Sequence, residues 1–124
     1  MTSVALVEDN PDNRLLVEAI LDGAYEVRSF ANGADALAAF AVERPSLVLL
    51  DISLPEMDGR AVLARMRADP RLGDVPVVAL TAHALDGDRS RLLAAGFDDY
   101  IAKPIVDETL LLAAIDRCLA RGRG

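Results

Sequence analysis

Four apolar runs of this chain end beside a residue that can do chemistry. Glu8 and Asp9 follow Val4–Val7, Asp51 follows Leu47–Leu50, Thr81 comes directly after the Val75–Leu80 run, and Lys103-Pro104 follow Tyr100–Ala102. A fifth run, Tyr25–Ser29, leads into Phe30 and contributes nothing ionic. Asp9, Asp51, Thr81 and Lys103 are separated in turn by 42, 30 and 22 residues. An acid after a strand is by itself usually part of a solvated loop. If these runs are neighbouring strands of an open parallel sheet, however, three carboxylates, a hydroxyl and an ammonium converge on one edge, where ligands of such sheets bind.

Three carboxylates gathered at one place repel one another. A pair about 4 Å apart costs roughly 4 kcal/mol at an effective dielectric constant of about 20. Lys103 offsets one charge, and a divalent cation would neutralise the deficit. The donors are hard oxygens with neither thiolate nor imidazole among them, which suits Mg²⁺, with Mn²⁺ as a substitute, over zinc or copper. Metal, Lys103 and Thr81 together supply a bridging cation, a point charge and a hydrogen-bond donor, the parts that a transferring phosphoryl group needs. A carboxylate in the cluster can act as nucleophile and form an acyl phosphate.

The elements between these residues read as helices. Leu15, Leu16, Ala19 and Ile20 suggest a first apolar stripe behind Asn10 as N-cap and Pro11 at the first helical position. Leu37, Phe40 and Ala41 form a second, and Val62, Leu63 and Met66 a third after Asp58-Gly59. Leu92 and Leu93 belong to a short fourth helix stopped at Gly96. Leu110, Leu111, Ala114, Ile115, Cys118 and Leu119 make the longest stripe, with Arg117 and Arg121 suited to the negative end of that helix. Strand and helix alternate five times. The pattern predicts an α/β fold, a parallel sheet with helices on both faces, and Tyr25–Ser29 at an edge.

Composition narrows the function. The 124 residues suit one domain, and 52% hydrophobic with 27% charged residues excludes global disorder. With 20 acidic and 13 basic residues the chain carries −7, which argues against nucleic acid or an anionic membrane as main partner. No apolar run approaches the ~20 residues of a membrane span, and the first residues lack the pattern of a signal peptide. The lone Cys118 excludes an internal disulfide and falls on an apolar stripe, so it reads as packing in a reducing compartment. Asp98-Asp99 and Asp86/Asp88 read as caps and solvated turns.

Leu6-Val7-Glu8-Asp9-Asn10, the run from Leu49 to Gly59 (Leu-Leu-Asp-Ile-Ser-Leu-Pro-Glu-Met-Asp-Gly), Leu80-Thr81-Ala82 and Tyr100-Ile101-Ala102-Lys103-Pro104 resemble a response-regulator receiver domain. The resemblance is collinear, covers nearly the whole chain, and is strongest to stand-alone receivers of cell-cycle and developmental signalling. It implies a flavodoxin-like (βα)5 doubly wound sheet of strand order 2-1-3-4-5 over residues 1–124. It also implies that Asp51 is the phosphoacceptor, loaded from the phosphohistidine of a histidine kinase or phosphotransfer protein in the cytoplasm. Asp9, Asp51 and the Ser53 backbone carbonyl would hold Mg²⁺, with Glu8 acting through water. Lys103 would pair with Asp51 and later with a phosphoryl oxygen. Thr81 and Tyr100 would be the switch, Tyr100 turning inward into the space that Thr81 vacates, a route the small Ala82 leaves open. Ser53 and His83 stand where the family tunes phosphate lifetime, and the Lys103-Pro104 bond is expected to be cis. Glu8-Asp9 replaces the pair of aspartates that many members carry.

The leading expectation is a single-domain, phosphorylation-controlled binding module. Its output surface would be the face of Asp86–Ala95, Tyr100–Ala102 and the last helix. A phosphorelay intermediate, or a receiver of a hybrid kinase, would carry the same residues. An aspartyl-nucleophile phosphatase would need a second acid two residues past the nucleophile, where this chain has Ser53, so multiple turnover is not expected. A flavin mononucleotide carrier would need a phosphate loop after the first strand, where Glu8, Asp9 and Asp12 would repel it.

Overall fold

The computed structural model describes residues 2–82, 88–105 and 107–121, so His83 and Asp86 lie outside the described residues. Strands and helices alternate: β1 (Ser3–Val7), α1 (Pro11–Leu21), β2 (Glu26–Phe30), α2 (Gly33–Val42), β3 (Leu47–Asp51), α3 (Gly59–Ala68), β4 (Val77–Thr81), α4 (Asp88–Ala95), β5 (Asp99–Ala102) and α5 (Glu108–Arg121). All neighbouring strands are parallel, in the order β2-β1-β3-β4-β5. This is the flavodoxin-like order expected, with β2 at an edge.

Side-chain alternation along the strands builds two cores. Val4 and Leu6 of β1, Leu47 and Leu49 of β3, and Val78 and Leu80 of β4 pack with Val17 and Leu21 of α1 and with Leu111, Ala114, Ile115 and Cys118 of α5. Their neighbours Ala5, Val7, Val48, Leu50, Val77 and Ala79 pack on the other side with α2, α3 and α4. Both faces are covered, so the strands are continuously apolar rather than alternating. Asp51 and Thr81 are the last residues of β3 and β4 and stay buried, at 2% and 7% exposure. β4 begins at Val77, two residues later than the apolar run, because Pro76 has no amide to give the ladder.

The first helix packs in a different phase from the apolar stripe, of which only Ile20 rests, half-buried, against the core. Leu15 and Leu16 are 64% and 41% exposed and Ala19 is also exposed, whereas Val17 and Leu21 are fully buried. The inner face is Arg14, Val17, Glu18 and Leu21, a helical i, i+3, i+4, i+7 set whose two polar members are consumed by hydrogen bonds. Arg14 reaches back to the β1–α1 loop, and Glu18 Oε2 accepts from Ser29 Oγ of β2 at 2.5 Å. Leu110 and Ala41, placed in the apolar stripes of α5 and α2, are exposed as well.

Asp98 is a buried tie rather than a solvated turn. Its Oδ2 accepts from Arg67 Nη2 at 3.1 Å and from the Val77 amide at 2.8 Å. Arg67 also donates to the carbonyls of Gly73, Val75 and Gly96, so one guanidinium joins α3, the start of β4 and the turn before β5. Arg117 pairs with Asp99 at 2.8 Å and Arg121 donates to the Asp98 carbonyl, which ties α5 to β5. Gly96 has φ of +113° and ends α4 as expected.

Gly59 opens α3 against the end of β3. A Cβ there would lie 2.5 Å from the Asp51 carbonyl oxygen and 2.8 Å from the Ile52 Cα, both backbone atoms that cannot yield as a flexible side chain could. Gly59→Ala is therefore expected to destabilise the fold by about 1–3 kcal/mol, read as a lower urea midpoint at unchanged slope. A second expectation concerns Tyr25, whose hydroxyl donates to Asp116 of α5. Burial and then the Asp116 carboxylate raise Tyr25 from its ordinary 10.0 to about 12. The neutral phenol is thus favoured by folding. Its contribution is fully present below pH 10 and is lost as pH rises towards 12. Tyrosinate absorbance of the protein minus that of Tyr25→Phe should show this late titration.

Candidate functional site

The strand order reverses between β1 and β3, and the carboxyl ends of those two strands carry the acids. One carboxylate oxygen each from Glu8, Asp9 and Asp51 lies within 4.8 Å of the others. Lys103, at the end of β5, reaches over the edge and places Nζ 2.9 Å from Glu8 Oε1 and 3.0 Å from Asp51 Oδ2. The Lys103-Pro104 bond is cis, as expected, and the Lys103 amide donates to the Thr81 carbonyl at 2.8 Å.

The three acids are held unequally. Asp51 Oδ1 accepts from the Ser53 amide at 2.9 Å while Oδ2 faces Lys103. Glu8, 1% exposed, accepts from Lys103 and from Asn13 Nδ2 through Oε1, and from the Asn10 amide through Oε2. Among the described residues, the Asp9 carboxylate takes no hydrogen bond or ion pair, and it faces solvent. Burial, then the adjacent Asp51, push Glu8 above the usual carboxylate range against the pull of Lys103. Burial works against the charge on Lys103, but Glu8 and Asp51 together outweigh it and hold the ammonium above the ordinary lysine value.

The residues expected at this edge from their spacing do gather there, and the structure adds a pairing. Lys103 bridges two carboxylates rather than meeting Asp51 alone. Thr81 borders Asp51 across the β3–β4 ladder, where Asp51 is in register with Leu80. Tyr100 is half-buried two positions down β5 from Ala102, which pairs with Thr81, and it packs against the core beneath α2, α3 and α4. Ala82 and the Ser53 side chain are exposed. Sequence reasoning left out Asn13 and Arg14. One signal was available for Arg14: a cation in the first turns of a helix sits at the unfavourable end of its dipole and needs a reason to be there.

Three hard carboxylate donors within one cluster fit a small divalent cation such as Mg²⁺. Known proteins agree with this geometry. The chain is 40% identical over 104 residues to the polar-differentiation response regulator DivK of Brucella anthropi, covering 83% of this chain and 85% of DivK. It is 41% identical over 111 residues to the sensor protein GacS of Pseudomonas syringae pv. syringae, covering 86% of this chain but only 12% of GacS. The receiver domain of sensor histidine kinase PA1611 from Pseudomonas aeruginosa PAO1 was solved with a magnesium ion coordinated in its active site cleft. It superposes with a TM-score of 0.86 at 38% identity over 96% of this chain and 98% of that one. The family model of the response regulator receiver domain matches residues 4–116. With fold order, acidic edge and bridging lysine in agreement, the chain belongs to the receiver-domain family of two-component signalling, as a signalling module rather than a turnover enzyme.

Proposed function

We propose that this chain is a phosphorylation-controlled binding module that takes a phosphoryl group from a phosphohistidine onto Asp51. The observation that carries the reading is Lys103 Nζ seated between Glu8 Oε1 and Asp51 Oδ2, beside the open Asp9 carboxylate. In the transfer an Asp51 carboxylate oxygen forms a bond to phosphorus as the bond from phosphorus to the imidazole nitrogen breaks. Lys103 stays paired with Glu8 while Asp51 is converted to the acyl phosphate, so its charge remains in place for a phosphoryl oxygen. Mg²⁺ would be held by Asp9, Asp51 and the Ser53 carbonyl, with Glu8 acting through water. When bound, it supplies the positive charge that the phosphoryl oxygens need. Mn²⁺ would substitute.

Thr81 offers its hydroxyl to the phosphoryl group, and Tyr100 follows it inward past the small Ala82. Ser53 and His83 tune how long the phosphate lasts. The output surface is the α4-β5-α5 face, where a cavity of about 390 Å³ is lined by Tyr100, Ile101, Pro104, Ile105 and Leu110 among others. Leu110, 61% exposed, borders it and suits a protein partner. The phosphodonor is a histidine kinase or a histidine phosphotransfer protein. The exposed Leu15 and Leu16 lie one turn beyond the loop that carries Asp9, where such a donor would have to approach. A cytoplasmic place of action fits the unpaired, buried Cys118. No helix among the described residues is long and apolar enough to cross a membrane. The likeness to DivK over most of its length favours a single-domain regulator comprising residues 1–124. The likeness to a small part of GacS supports a second reading, a receiver within a hybrid kinase relay.

Asp51→Asn is expected to abolish acid-labile phosphoryl labelling by a phosphorylated donor, and persistent labelling of that variant would refute the assignment. Thr81→Ala should still accept phosphate but lose the gain in partner capture that beryllofluoride plus Mg²⁺ produces in the parent. Equal capture by parent and variant would sink the switch.

A further inference from the structure

Of the three clustered carboxylates, Asp9 alone has nothing holding its side chain among the described residues. Its aim therefore depends on the backbone that carries it. That backbone is held by Arg14: Nη1 donates to the Glu8 carbonyl at 2.8 Å and to the Asp9 carbonyl at 3.1 Å. These carbonyls lie beyond the end of β1, past the last rung of the ladder. Two successive peptide planes turned towards one nitrogen leave the intervening Cα of Asp9 little rotational freedom. The Glu8 amide is fixed from the other side by the Phe30 carbonyl at 3.0 Å, and the Arg14 amide itself bonds to the Asn10 carbonyl. The main chain from Glu8 to Asn10 is thus held by β2 on one side and by the first turn of α1 on the other.

We propose that Arg14 is a positioning residue for cation binding: its guanidinium clamps the Glu8 and Asp9 carbonyls and so aims the Asp9 carboxylate at the metal. The proposal rests on the Mg²⁺ reading above and deepens it. Arg14 has two possible effects on a bound dication, and they have opposite signs. As a mere charge it repels Mg²⁺, so its removal would tighten binding. As a clamp it preorganises a ligand, so its removal weakens binding. Loss of a group that orients a metal ligand commonly costs about tenfold or more in affinity.

The experiment is calorimetric titration of Mg²⁺ into the parent, Arg14→Met and Arg14→Lys, with thermal unfolding in chelator to verify that each is folded. Arg14→Met keeps an unbranched apolar stem and loses the guanidinium with its donors and charge, and Mg²⁺ affinity should fall by about tenfold. Arg14→Lys keeps the charge but not the planar fork, and should bind between the two. A purely structural role would lower the unfolding temperature without moving the affinity of the folded protein. Unchanged or tighter binding by Arg14→Met overturns the proposal. If that variant does not fold, Arg14→Lys decides, with weaker binding supporting the clamp and parental binding overturning it. Failure of the parent itself to bind Mg²⁺ removes the metal reading and the clamp together.

Discussion

One ammonium shared by two buried carboxylates is the interaction on which the rest of this structure turns. Glu8 and Asp51 are 1% and 2% exposed, and Lys103 meets both at close to 3 Å. Acids so placed would repel in a medium that screens weakly, and removing the single cation would leave uncompensated buried charge. The sheet order is what permits the arrangement. β1 and β3 are neighbours only because the chain reverses its direction of winding after β2, and β5 is the far edge from which a long side chain can reach back. The raised position of Glu8 on the pH scale shows the same tension, since burial and Asp51 prevail over the pull of Lys103.

The first helix belongs to the site as much as the strands do. Its N-cap Asn10 accepts from the amides of Asp12 and Asn13, Asn13 donates to Glu8, and Arg14 donates to two loop carbonyls. The N-terminus of α1 therefore holds the acidic loop through amides and a guanidinium rather than through apolar contact. The consequence for packing is direct. The helical positions facing the sheet near the site are polar, and the apolar ones there are left to face outward.

That trade-off explains which parts of the fold were legible in the sequence. The strand positions, the stop at Gly96, the cap Asn10, and the convergence of Asp9, Asp51 and Lys103 on one edge all follow from residue types and their spacing. The phase of α1 did not, because Leu15 and Leu16 outweigh Val17 and Leu21 in any count of hydrophobicity. The face was chosen instead by hydrogen bonds that Arg14 donates to the loop before the helix and that Glu18 accepts from Ser29 of β2. Asp98 was misread for a similar reason. An acid in a turn reads as solvated unless Arg67, 31 residues earlier, is known to lie beside it. The Glu8–Lys103 pair was hidden in the same way, since it spans 95 residues.

Arg67 also divides the molecule mechanically. Its bonds to Gly73, Val75, Gly96 and Asp98 all fall at the end of the sheet opposite the acids, where β4 and β5 begin. The C-terminal end of α4 is thereby pinned, because Gly96 immediately follows it. A displacement of α4 that keeps these bonds must swing about that end, like a lever on a fixed pivot, with its largest travel at the end nearest Thr81. A displacement at the acidic rim would be largest there and fade along α4 towards the pinned base of the sheet.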